Sequence, residues 1–369
     1  MGAARGPVEG LELNPQFWRG RRVFVTGHTG FKGSWLLLLL RELGADIHAF
    51  SLAPPTDPSL FDLLGLESAC RHRVGDIRDQ ADLTDAMAAA DPEVVLHLAA
   101  QPLVRASYVD PVGTYATNVM GTVHLLDACR TLPNLCSVVV VTTDKCYQND
   151  GWVWGYREND RLGGDDPYSN SKAACELVVD AYRKSFFNPA DHARHGVGLA
   201  SARAGNVIGG GDFAVDRLVP DAVAAFAKGE KLSIRNPLAI RPWQHVLDPL
   251  HGYLLLAERA FENPTFASGW NFGPPAEENA SVGAVADRLA ARWGGGAGWE
   301  QNKGDHPHEA ATLKLDSTKA RLQLGWAPRF SLDEALDSTV DWYRAYHGRE
   351  DLGAVSLGQV QAFLGRPAQ

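Results

Sequence analysis

The sequence predicts an α/β protein, a doubly wound parallel sheet with a smaller C-terminal substrate-binding domain. Three observations carry this. The apolar strand Val23 to Thr26 runs into Gly27-His28-Thr29-Gly30-Phe31-Lys32-Gly33 and then into an apolar helix stopped at Gly44. Strand-like apolar runs then alternate with helix-length segments as far as Ala204, the pattern of parallel strands joined by crossover helices. The run Val138 to Val141, buried in character, gives way to Thr143-Asp144-Lys145, and a helix begins at Tyr168-Ser169-Asn170-Ser171-Lys172.

Strand, G-x-x-G-x-x-G and helix in that order are the context of a dinucleotide-binding turn. Gly27 permits the tight turn, Gly30 lets the backbone approach a pyrophosphate, and Gly33 allows close helix–strand packing. Phe31 lies in the same turn, and the helix N-terminus faces the phosphates. This makes the sheet Rossmann-like. The second strand, Asp46 to Phe50, leads into Ser51-Leu52-Ala53-Pro54-Pro55. It has neither an acid for a ribose nor an Arg for a 2′-phosphate, so it leaves NAD and NADP open. After a third strand, Asp76 is placed to reach an adenine amine, with Ile77 beside it. A helix follows at 82–90 and a strand at 94–98. The small Ala99 and Ala100 leave room for a cofactor at the strand end. A long helix from Tyr115 to Arg130 carries Asn118. The helix from Tyr168 to Phe186 and a strand from Leu199 to Ala204 complete the regular part.

Beyond Ala204 the signals become irregular. Gly205 to Gly211 reads as a loop because no helix follows it, and Trp270-Asn271-Phe272-Gly273-Pro274 reads as another. Ser281 to Trp293 is helical. Ser331 and Glu334 have capping-box spacing, so a helix is expected from Ser331 to about Tyr346. The division expected from this is a nucleotide-binding domain of residues 15–205 plus about 240–262, and a substrate-binding domain of 206–239 plus 263–355.

Composition narrows the function. The chain has 369 residues, 45% of them hydrophobic, enough for a sizeable core. A net charge of −9 argues against a nucleic-acid or membrane-surface protein. The longest apolar run, Trp35 to Leu40, is far too short to span a bilayer. Five cysteines without C-x-x-C spacing point to reduced thiols and a cytoplasmic location. His306, His308 and Glu309 flank a proline and match no helical metal-ligand spacing, so no metal is expected.

Tyr168 and Lys172, four residues apart, share a helix face about 5–6 Å apart. By itself the pair is more often a solvated helix face. Beside a dinucleotide turn it is chemistry. An ammonium near a phenol favours phenolate, so Lys172 is expected to lower the Tyr168 pKa and let it take a proton from a sugar hydroxyl. Thr143 can bond the same hydroxyl, and Asp144 and Lys145 add an acid and a base. In an acidic chain, Arg217 and Arg241 are expected on the ligand's phosphates.

Together the glycine turn, Tyr168-x-x-x-Lys172 and the polar strand end resemble the extended short-chain dehydrogenase/reductase family. Within it the segments VTGHTGFKGSW, LAAQPLVRASY, TTDKCY, DPYSNSK, RAGNVIGGGDF, IRPWQHV and WNFGP are similar to those of the CDP-glucose 4,6-dehydratases. The resemblance implies NAD as a recycled cofactor. NAD⁺ takes hydride from C4 while Tyr168 takes the hydroxyl proton, water leaves across C5–C6, and the hydride returns to C6. Lys145 is the expected C5 base with a depressed pKa, where dTDP-sugar dehydratases are expected to carry Glu. Another nucleotide-sugar 4,6-dehydratase or a 4-epimerase is the alternative. The motif match would lay Asn206, Arg217, Arg241 and Asn271 along the nucleotide sugar, with His308 a further contact. It also implies a homodimer paired through the helices at Tyr115–Arg130 and Tyr168–Phe186.

Overall fold

A computed structural model describes residues 12–302, 304 and 312–366. Its centre is a seven-stranded parallel sheet. Six strands follow in chain order: β1 Arg22–Thr26, β2 Asp46–Ser51, β3 Arg71–Val74, β4 Val94–His97, β5 Ser137–Val141 and β6 Gly198–Ala204. The seventh is Gly269–Phe272, and the spatial order is seventh–β6–β5–β4–β1–β2–β3, every pair parallel. The order reverses between β1 and β4, which opens a crevice at the carboxyl ends of those strands.

Every residue of β4 and β5 is buried because helices cover both faces. In β5 the side chains alternate: Val139 and Val141 enter the core beneath the helices Phe31–Glu42 and Leu247–Glu262. Val138 and Val140 face the helices Gln80–Ala90, Gly121–Cys129 and Pro167–Ser185. Among the described residues no helix is long and apolar enough to cross a membrane.

Local chemistry starts the helix that matters most. Asp166 caps Pro167–Ser185 by accepting the Ser169 N–H at 2.9 Å, with Pro167 at the first helical position. This puts Tyr168 and Lys172 in its first turns. The helix Leu332–Gly348 begins with the expected capping box of Ser331 and Glu334.

The structure corrects several sequence readings. The helix expected at Tyr115 already begins at Pro111, capped by Asp110. It passes through a five-residue wide turn, Ala116–Met120, before continuing as Gly121–Cys129. The segment 270–274, read as a loop, begins within the seventh strand, which ends at Phe272. Trp270 and Phe272 face the core, but the polar Asn271 between them and Gly273-Pro274 just after hide so short an alternation. That strand extends the main sheet into the region assigned to the substrate-binding domain. The glycine cluster also holds a strand, Asn206–Ile208, paired with Trp243–His245. Further helices at Leu218–Ala227 and Leu352–Leu364 lie in the stretch where the pattern looked irregular.

Candidate active site

A cavity of about 1160 Å³ lies along the carboxyl ends of the strands and extends over the segment 204–241. Gly27, Gly30, Phe31 and Gly33 line one end, with Asp76, Ile77, Ala99 and Ala100. The three glycines differ in why they are needed. Gly27 has φ +77°, and a Cβ there would stand 2.5 Å from the Ala99 nitrogen. A Cβ on Gly33 would stand 2.2 Å from the Gly27 carbonyl oxygen. Gly30 is different: its nearest obstacle would be 3.5 Å away, so protein packing does not demand glycine there. It caps the helix Phe31–Glu42 with no side-chain bond, leaving open backbone N–H groups at a helix N-terminus. A cradle of that shape fits a pyrophosphate.

Asp76 lines the cavity and is gripped by Arg78, whose Nε donates to it at 2.8 Å. The Arg78 bonds hold its carboxyl below the usual range. Asn118 does not line the cavity. Its amide accepts the Gln101 N–H at 2.8 Å and donates to the Gln101 carbonyl and to Ser171 Oγ. It therefore orders the loop after β4, beside Thr117, which does line the cavity.

The middle of the cavity is walled by Thr143, Asp144, Lys145, Tyr168 and Lys172. Thr143 ends the strand and caps a short turn, Asp144–Cys146. Its hydroxyl donates to Asp144 Oδ1 at 3.0 Å and is also within hydrogen-bonding reach of the Tyr168 phenol. Burial pushes the Asp144 carboxyl up, against the opposing pull of Lys145 and Thr143. Its Oδ2 meets no hydrogen-bond partner among the described residues. The Lys145 ammonium stands 6.0 Å from the centre of the Tyr168 ring.

The expected effect of Lys172 on Tyr168 is corrected. Burial pushes the phenol up, and Thr143 and Arg217 pull it down without overcoming that. Lys172 donates instead to the Val141 carbonyl at 3.3 Å, and its own pKa is lowered by burial. Cys146 is fully buried with its thiol pushed well up by burial, the state of a packing residue.

At the far end of the cavity stand Asn206, Arg217 and Arg241. Arg217 is held by Asp212 at 2.8 Å. Arg241 is buried, with one nitrogen on the Ile240 carbonyl at 2.9 Å. Asn271 is not there. Its side chain accepts the Tyr147 hydroxyl at 2.7 Å and donates to the Tyr156 and Asp316 carbonyls. Every polar atom of that side chain is occupied inside the protein. His308 lies outside the described residues, as do His306 and Glu309.

Among the cavity residues to which the sequence reading gave no role is a lysine. Lys32, inside the glycine motif, lines the cavity within 3.3 Å of the Tyr253 hydroxyl. Burial lowers its pKa to about 7, with Arg217 and Lys172 pushing the same way and Asp144 opposing. The signal was available, since a long cation in a turn meant for close backbone contact is out of place.

Residues 24–339 match the family model described as GDP-mannose 4,6 dehydratase. The chain is 52% identical over 353 residues to a CDP-glucose 4,6-dehydratase of Salmonella typhimurium, covering 95% of this chain and 98% of that one. It is 29% identical to a dTDP-glucose 4,6-dehydratase of Streptomyces griseus over 88% of this chain and 94% of that one. In fold it is similar to a Streptomyces venezuelae dTDP-glucose 4,6-dehydratase solved with NAD. The TM-score is 0.73 at 24% identity, over 89% of this chain and 98% of the other. A UDP-glucose 4-epimerase of Thermotoga maritima solved with UDP-glucose has the same TM-score at 22% identity, over 88% and 99%. A match this long, with one relative more than half identical, makes the chain a member of the GDP-mannose 4,6-dehydratase family, within the extended short-chain dehydrogenases/reductases.

Proposed function

We propose that the chain is a CDP-glucose 4,6-dehydratase that converts CDP-D-glucose to CDP-4-dehydro-6-deoxy-D-glucose. The observation that carries this is the 52% identity to such an enzyme over almost the whole of both chains. The cavity supports it, because it holds an acid and a second amine beyond what oxidation at C4 requires.

NAD fits the Gly27–Gly33 cradle. When bound it supplies the acceptor for the C4 hydride, the donor that returns it to C6, and a cationic ring that favours phenolate nearby. The chain's own residues do the rest. Tyr168 takes the proton of the C4 hydroxyl, and Thr143 orients that hydroxyl. The 4-ketone acidifies the C5 hydrogen, and Lys145 removes it as a proton. Asp144, whose carboxyl burial pushes up, is the acid that gives its proton to the C6 hydroxyl, which leaves as water. Lys145 gives the proton it took back to C5, and the proton taken by Tyr168 replaces the one Asp144 gave, so the net change is loss of one water. Arg217 and Arg241 hold the pyrophosphate, and Asn206 contacts the sugar.

A 4-epimerase would need the oxidation groups and no acid–base pair, so Asp144 and Lys145 favour the dehydratase. Mass spectrometry of the chain with CDP-glucose and NAD, with dTDP-glucose and UDP-glucose in parallel, tests this. Loss of one water from CDP-glucose alone is expected. An unchanged mass with a 4-epimer by NMR would overturn it. The Lys145 role is tested by Lys145→Ala, which should still form NADH in a single turnover while dehydration falls about 10²–10⁴-fold. Parallel loss of both steps would reject that role.

We infer further a cytoplasmic homodimer. Val109, Val112, Met120 and Leu177 are exposed on neighbouring helical segments around 104–129 and 167–185, an apolar surface suited to a partner copy. All five cysteines are free, as in a reducing compartment. Light scattering at micromolar concentration should give twice the chain mass, and a single-chain mass would exclude the dimer.

A further inference from the structure

Beneath the catalytic turn lies a buried ion pair that the reaction scheme does not use. Glu176 sits one helical turn after Lys172, and Arg203 sits on β6. They meet at 2.7 Å with both side chains almost wholly buried. The carboxylate end also accepts the Thr142 hydroxyl at 2.5 Å and the Ser201 hydroxyl at 2.7 Å. The guanidinium end donates to the Tyr147 hydroxyl at 2.7 Å and the Glu158 carbonyl at 3.0 Å. Tyr147 in turn donates to Asn271, the residue locked between the Tyr156 and Asp316 carbonyls.

Thr142 and Tyr147 flank the catalytic segment. Thr142 immediately precedes Thr143, and Tyr147 lies two residues past Lys145. One end of a single ion pair therefore holds the upstream flank, and the other end holds the downstream flank. The hydroxyls bound on the two sides come from different neighbours of the chemistry. Thr143 belongs with Tyr168 to the oxidation at C4, whereas Lys145 belongs to the elimination across C5–C6. Burying an ion pair is costly, and an apolar pair of like size would often be more stable, so the pair needs a reason beyond stability. Pairing with Arg203 and the two hydroxyl bonds hold Glu176 ionised in spite of its burial. The network is thus fixed as a set of directed charge-assisted bonds.

We propose that Glu176 and Arg203 are positioning residues that set the two halves of the catalytic turn independently. Through Thr142 they hold Thr143 at the C4 hydroxyl, and through Tyr147 and Asn271 they hold Lys145 at the C5 hydrogen. The proposal rests on the dehydratase reading above. It gives Asn271 its place: the family motif that carries it serves the elimination half of the turn from behind, without touching the sugar.

The test removes one hydroxyl at a time and reads the two steps separately in single turnovers with CDP-glucose and NAD. Absorbance of NADH at 340 nm reports oxidation, and quenched-flow mass spectrometry reports loss of water. Tyr147→Phe should leave NADH formation within twofold of the parent and slow water loss roughly ten- to a hundredfold, so that NADH accumulates. Thr142→Val should slow NADH formation about tenfold with water loss following each oxidation as in the parent, so that NADH does not accumulate, and Thr142→Ser should restore the rate. Arg203→Lys keeps a charge for Glu176 but cannot also span to Tyr147, and it should reproduce the Tyr147→Phe pattern. A merely structural pair would lower both steps together in all variants, and that result, or no change in either step, overturns the proposal. A parent chain that dehydrates normally while the variants lose both steps in parallel overturns the clamp alone. A parent chain that neither oxidises nor dehydrates CDP-glucose overturns the functional reading and the clamp with it.

Discussion

Two buried aspartates of this protein look alike and sit in different worlds. Asp144 and Asp248 are both nearly inaccessible, both pushed up by burial, and both have an Oδ2 without a hydrogen-bond partner among the described residues. Asp144 opens onto the cavity beside Thr143 and Lys145. Asp248 is sealed in the first turn of the helix Leu247–Glu262, its Oδ1 accepting the Arg329 N–H and its carbonyl accepting the Trp326 indole. A raised carboxyl pKa is therefore a consequence of burial in both places and becomes chemistry only where a reacting atom can reach it. Perturbed acidity alone would have marked both residues, while the cavity marks one.

Three measurements can break that distinction. The largest effect is expected at Asp144. Asp144→Asn keeps the acceptor for the Thr143 hydroxyl but has no proton to give, so dehydration should fall about 10²–10⁴-fold with the melting temperature nearly unchanged. In the parent chain the elimination step should persist above the ordinary carboxylate range and decline as pH rises through the raised Asp144 value. Next in size is Arg241→Leu, which on the proposed reading removes a charge-assisted bond to the pyrophosphate. KM for CDP-glucose should rise roughly ten- to a hundredfold, corresponding to about 1.5–3 kcal/mol, with little change in kcat.

The smallest effect on activity, and the clearest on stability, belongs to Asp248. Its pKa is raised to about 7 in the folded chain, so the fold binds a proton that the unfolded chain releases near pH 4. That binding favours the fold at low pH, and its contribution is lost as pH rises towards 7. Asp248→Asn is neutral at every pH and keeps an acceptor for the Arg329 N–H. Its advantage over the parent should be small near pH 5 and grow to a few kcal/mol by pH 8, with catalysis within twofold. Calorimetry at the two pH values reads this directly. An advantage that does not grow with pH would mean Asp248 is already ionised in the fold.

The parallel sheet, the glycine turn and the segment Thr143 to Lys172 were legible in the sequence because each is written in consecutive residues. Strand periodicity, glycine spacing and the capping box at Ser331 are local signals, and local hydrogen bonds and sterics are enough to enforce them. What only the tertiary structure decided depends on residues far apart in the chain. Asn271 looks like a polar ligand contact until Tyr147, Tyr156 and Asp316 converge on it from three segments. Asn118 sits in a helix, but Gln101 and Ser171 consume its amide. Lys172 has the right spacing to assist Tyr168, yet burial sets the phenol's acidity and the Val141 carbonyl takes the ammonium. Spacing along the chain fixes which side chains share a face. Burial, cavity shape and long-range partners fix which of them are left with an open bond for a ligand, and those are properties of the packed whole.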